Sequence, residues 1–125
     1  MIWANTAAWA PMNKNYKEIT QRISTNMKTL RADIPDTMQA FTALATAATK
    51  DGALDKKTKE FIALAIGVSA RCDGCIGFHV KALVGLGATR AEVEEVLGMA
   101  VYMGGGPSLM YAAHAMQAYD QMTAG

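Results

Sequence analysis

Residues 56–86, KKTKEFIALAIGVSARCDGCIGFHVKALVGL, decide the fold. From Lys56 toward Arg71 the pattern is helical, and Phe61 to Ala70 is apolar nearly all round, with Asp55 placed to cap the helix start. A following helix starts at or just before Cys72 and carries Ile76, Val80, Leu83 and Val84 on one stripe before Gly85 and Gly87 end it. The stretch reads as a helix hairpin at the centre of a bundle.

Upstream, residues 15–32 hold Ile19, Ile23, Met27 and Leu30 at helical spacing among polar residues, which predicts an amphipathic helix ending before Ile34-Pro35. Pro35 suits the first turn of a second helix to about Lys50, carrying Met38, Phe41, Leu44, Ala45 and Ala48 and closed by Asp51-Gly52. Downstream, Thr89-Arg90-Ala91-Glu92 is a capping box for a helix with Val93, Val96, Leu97, Ala100 and Val101 as its buried stripe. Gly104 to Gly106 stop that helix. Pro107 opens a last one to about Met122, with Leu109, Met110, Ala113, Met116 and Tyr119 inward. Strand-length alternation is missing throughout, so the expected class is all-α: a compact bundle of about six helices, one domain over residues 1–125 with 1–14 as an N-terminal arm. Trp3 and Trp9 in that arm read as docking anchors or as part of a loose terminus.

A chain of 125 residues with 51% hydrophobic and 18% charged residues can build one real core. A net charge of +1 leaves no basic excess for phosphate neutralisation, which argues against a nucleic-acid partner. The start, MIWANTAAWAPM, lacks a basic residue before its short apolar run and fails as a secretory signal, and no stretch is long enough to span a bilayer. Only two cysteines occur, which fits a reducing compartment better than a disulfide-stapled secreted chain. The expected location is the cytoplasm. Because Phe61 to Ala70 is apolar nearly all round, part of that surface is expected to meet another subunit of a homo-oligomer.

Candidate chemistry sits between Glu60 and His79. Cys72 and Cys75, in C-x-x-C spacing at a helix start, are close enough to form a disulfide or to hold a metal ion. His79 follows Cys75 by four residues, on the same helix face, where it can take the thiol proton. The helix N-terminus and Arg71 favour thiolate, whereas Asp73 opposes it and is expected to point to solvent or to cap the helix. The antiparallel return of the next helix brings His79 toward Glu60, which favours Glu60 facing the imidazole over either sulfur; a solvated first-turn carboxylate is the alternative. Redox chemistry competes with zinc binding, since the two cysteines, His79 and a carboxylate could make four ligands, although one helix face cannot easily surround a metal. Buried cysteines acting as small hydrophobes are a third option. His114 reads as a structural histidine, and Gly104 to Gly106 as a tight turn without the Lys-Ser/Thr of a phosphate loop.

Glu60, eleven residues, Cys72-Asp73-Gly74-Cys75, three residues and His79 together resemble the active-site signature of the carboxymuconolactone decarboxylase family, in its alkylhydroperoxidase D-like branch. The similarity continues through GATRAEVEEVLGMAVYMGGGPSLMYA, residues 87–112. The resemblance implies an all-helical trimer or hexamer that uses the cysteine pair, with neither cofactor nor metal, to reduce hydroperoxides. It implies Cys75 as the peroxide-attacking thiol, Cys72 as the resolving thiol and Glu60 with His79 as the proton relay. The electron donor would be an external dithiol or a lipoyl protein, and the branch that decarboxylates a muconolactone lacks the pair. Some members carry a histidine or aromatic residue where this chain has Gly74.

Overall fold

The computed structural model describes residues 14–124, so Trp3 and Trp9 of the expected arm lie outside the described residues. Six helices follow one another, with no strand among the described residues: α1 Tyr16–Asp33, α2 Pro35–Thr49, α3 Lys56–Ser69, α4 Asp73–Gly85, α5 Arg90–Gly104 and α6 Gly106–Thr123. Local chemistry sets most of the boundaries. The side chains of Asn15, Asp55 and Thr89 each accept a hydrogen bond from the backbone amide three residues on, and the Glu92 carboxylate accepts one from the Thr89 amide to complete the capping box. Gly87 and Gly105, with φ of 78° and 70°, supply left-handed turns after α4 and α5. The end of α2 differs from expectation. Lys50 leaves the helix in an extended conformation, Gly52 adopts no positive φ, and Asp51 accepts a bond from the Lys56 amide instead.

The core gathers Tyr16, Leu64, Val68, Ile76, Val80, Leu83, Val93 and Leu97 with a row of alanines. The hairpin of α3 and α4 lies at its centre and α6 crosses both. On α6 the expected inward face is corrected in part: Met116 and Tyr119 pack against the core as expected, but the first turns face otherwise. Ser108, Ala112, Ala115 and Ala118 are buried, while Leu109 and Met110 are exposed, because helices that approach closely need small side chains between their backbones. On α1 the expected stripe holds at Ile19, which packs against the core, and at the partly buried Ile23 and Met27; Tyr16 and Thr20 extend it inward, and only Leu30 of the stripe is exposed. Helix α2 buries no residue, packs only on α1 and α3 among the described residues, and exposes Phe41 and Leu44. The surplus apolar face of α3 consists of Ile62 and Ile66, both exposed.

Candidate active site

The site is built at the junction of α3 and α4. Helix α3 ends in a Schellman motif: the Arg71 amide donates to the Val68 carbonyl and the Cys72 amide to the Gly67 carbonyl. Arg71 occupies the left-handed position, φ 57°, a conformation that costs an L side chain about 1–2 kcal/mol. That turn reverses the chain within three residues and delivers Cys72 as the N-cap of α4, where its sulfur accepts a hydrogen bond from the Cys75 amide at 3.1 Å. The two sulfurs are joined as a disulfide, with Cα atoms 5.2 Å apart. Gly67 makes the close approach possible, since a Cβ there would stand 3.0 Å from Cys75 Cβ.

The antiparallel hairpin sets Glu60 and His79 together across 19 residues: His79 Nδ1–H donates to Glu60 Oε2 at 2.6 Å. Glu60 is 6% exposed, so its carboxylate is held by the imidazole and not by solvent. This fixes the ring and leaves Nε2 without a hydrogen-bond partner among the described residues. Of the four residues singled out from sequence, the structure joins Cys72 to Cys75 and Glu60 to His79, while Cys75 and His79 share α4 at a four-residue offset that puts them on one face. Among the described residues no three His, Cys, Asp or Glu side chains converge as a metal-ligand set.

Asp73 corrects the expectation of a solvated or capping carboxylate. Its Oδ1 accepts hydrogen bonds from Tyr16 Oη at 3.0 Å and Lys14 Nζ at 3.1 Å. No pattern in the sequence announces these partners, which lie 57 and 59 residues away. Tyr16 is fully buried, and burial together with the Asp73 bond pushes its phenol well above the usual range, so it remains an O–H donor. His114, the other histidine, packs edge-on to Tyr111 with centroids 5.2 Å apart. Burial and then Lys14 hold its pKa below the ordinary imidazole value, which keeps it neutral near pH 7.

A model of the carboxymuconolactone decarboxylase family matches residues 35–118. An uncharacterized protein of Cupriavidus necator is 42% identical over 90 residues, covering 72% of this chain and 80% of its own length. Among solved structures, a carboxymuconolactone decarboxylase family protein from Legionella pneumophila in its apo form superposes with a TM-score of 0.85 at 57% identity, covering 86% of this chain and 96% of its own. A family protein from Thermotoga maritima, described as having a possible part in the antioxidative response, gives 0.70 at 30% identity over 87% of this chain and 90% of its own.

Proposed function

The chain belongs to the carboxymuconolactone decarboxylase family, and from that premise we propose that it is a peroxiredoxin-type thiol oxidoreductase that reduces hydroperoxides through Cys75 and Cys72. The observation that carries this reading is the cysteine pair within bonding reach at the start of α4, followed one turn later by an imidazole whose far nitrogen is fixed by a buried carboxylate. His79 Nε2 takes the Cys75 proton, and Glu60 holds the ring and steadies the imidazolium. The thiolate attacks one peroxide oxygen, the O–O bond breaks, and the departing alkoxide takes the proton from His79 as an alcohol. Cys75 is then a sulfenic acid. The Cys72 sulfur displaces its hydroxyl, which leaves as water with the Cys72 proton, and the disulfide forms. An external dithiol, free or carried on a lipoyl protein, returns two electrons and two protons and becomes a disulfide itself. A reducing cytoplasm suits this cycle, and no helix among the described residues is long and apolar enough to cross a membrane.

A second reading, exchange with a protein or lipoyl disulfide, is favoured by Gly74. A Cβ at this position would stand 2.8 Å from Ile23 Cδ1, so a side chain there would have to push that terminal methyl aside, and the glycine itself offers no extra proton carrier between the cysteines. Thiol exchange has a thiolate leaving group and needs that carrier less than peroxide cleavage does. The deciding experiment counts free thiols before and after one equivalent of hydroperoxide, beside the same experiment with a lipoyl disulfide. Loss of both thiols to an intramolecular disulfide, faster with hydroperoxide, supports the peroxidase. Faster loss with the lipoyl disulfide supports exchange, and no loss with either rejects both.

The exposed apolar helix α2 supports assembly with further copies of the same chain, in a trimer or hexamer. Between Asp36 and Lys50 it carries no charged residue, which is unsuited to a helix left in water.

A further inference from the structure

The C-x-x-C turn holds one charged residue that the cycle above leaves unused, Asp73 at the first position of α4. A carboxylate beside two sulfurs disfavours thiolate, and a bare aspartate would work against the helix N-terminus and Arg71. It is not bare. Lys14 and Tyr16 both bind the same oxygen, Oδ1. These two residues are themselves fixed from α6: Gln121 Oε1 accepts from the Tyr16 amide at 2.8 Å, Gln121 Nε2 donates to the Lys14 carbonyl at 2.9 Å, and Lys14 Nζ lies 4.9 Å from the centre of the Tyr111 ring. Helix α1 also lies tight against α4, since a Cβ at Gly77 would stand 2.6 Å from Thr20 Cγ2. The start of α1 is therefore a rigid clamp, built from residues distant in sequence, that ends on the aspartate between the cysteines.

We propose that Lys14, Tyr16 and Asp73 form a latch that neutralises the carboxylate beside the cysteine pair and fixes the first turn of α4, keeping Cys75 reactive as a thiolate. All three are positioning residues. The proposal rests on reading Cys72 and Cys75 as a redox pair. The titratable and charged groups around the turn are Arg71 in the α3–α4 connection, Lys14 and Tyr16 at the start of α1, Glu60 on α3, Asp73 and His79 on α4, and Tyr111 and His114 on α6. His114 is neutral near pH 7 and Tyr16 protonated, so Lys14 is the cation that contacts Asp73. Glu60 is engaged with His79.

The test is the pH dependence of iodoacetamide alkylation at Cys75 in the reduced protein, followed by mass spectrometry. Variants are Lys14→Gln, Tyr16→Phe, Asp73→Asn and the double variant Lys14→Gln/Asp73→Asn. Uncovering the Asp73 charge raises the thiol pKa, so less thiolate is present at a given pH. Lys14→Gln should move the alkylation midpoint to higher pH and slow the reaction at pH 7 about threefold, a modest figure because Asp73 is partly screened by solvent. Tyr16→Phe should shift it the same way by less. The double variant should return to the wild-type rate or exceed it, a rescue that loss of packing alone would not give. An unchanged midpoint in Lys14→Gln, or a double variant as slow as Lys14→Gln alone, overturns the latch. If Tyr16→Phe fails to fold, the Lys14 and Asp73 variants still decide the matter, since both side chains lie partly at the surface. Failure of the redox reading shows separately, as a wild-type protein that forms no reversible intramolecular disulfide under mild oxidation.

Discussion

Glu60 is a buried carboxylate bonded to one ring nitrogen of His79, and the whole relay depends on that contact. His79→Gln keeps an amide donor for Glu60 but removes the base, so the Cys75 alkylation midpoint should rise and the rate near neutral pH fall. Glu60→Gln should shift it in the same direction by less. Cys72→Ser should leave initial reactivity largely intact and block disulfide formation, since only the resolving step is lost. If Cys72 proves to be the low-pKa thiol, unaffected by His79→Gln, the two sulfurs exchange roles. By contrast, His79→Ala should also destabilise the fold by about 1–3 kcal/mol, because a buried acceptor loses its partner. Gly67 decides a different balance. Alanine would gain up to ~1 kcal/mol of helix propensity, but its Cβ would press on Cys75 Cβ, which a helix start and a disulfide hold in place. Overpacking of this kind costs about 1–3 kcal/mol. Gly67→Ala should therefore lower the unfolding midpoint in urea, more in the oxidised protein than in the reduced one.

At the scale of helices, caps and glycines made the boundaries legible: Asp55, the Thr89 to Glu92 box and Gly87 all act in the structure as their residue types require. The Glu60–His79 contact was legible too, because a short connection forces an antiparallel return. Facing was harder to read. Size and hydrophobicity select Leu109 and Met110 for the α6 interior, yet close helix packing selects Ala112, Ala115 and Ala118. The clamp on Asp73 had no local signature at all, being a contact between chain segments nearly sixty residues apart. The caps also set an acid limit on stability. Asp55, bonded by the Thr58 side chain and amide, and Glu92, bonded by the Thr89 amide and Lys57, both have carboxyls below the usual range. A folded pKa below the unfolded one gives stabilisation that is full above about pH 5 and fades as pH falls through the folded values. An Asp55→Asn/Glu92→Gln variant keeps neutral caps, so its Tm should be a few degrees lower at pH 7 and fall less steeply between about pH 5 and 3. An unchanged slope would assign the acid limb to other carboxylates.

For the whole molecule, the distribution of apolar surface is the remaining physical problem. Phe41 and Leu44 on α2 are 65% and 63% exposed, Ile66 on α3 is 63% exposed, and Tyr102 and Met103 at the end of α5 are 77% and 78% exposed. Each large apolar side chain taken from water to a packed interface contributes about 1.5–3 kcal/mol, so a few per contact, repeated around a closed ring, can stabilise an assembly. Wild-type protein should therefore sediment as a trimer or hexamer at micromolar concentration. Phe41→Lys/Leu44→Lys removes apolar anchors that do little inside the protomer, since α2 buries none of its residues. The variant should keep its helical circular dichroism yet sediment as a smaller species, with a lower Tm because association no longer stabilises the folded chain. A wild-type monomer at that concentration would reject the assembly itself. An oligomer unaffected by the double substitution would reject α2 as its interface and leave the exposed ends of α5 and α6 as the surface to test.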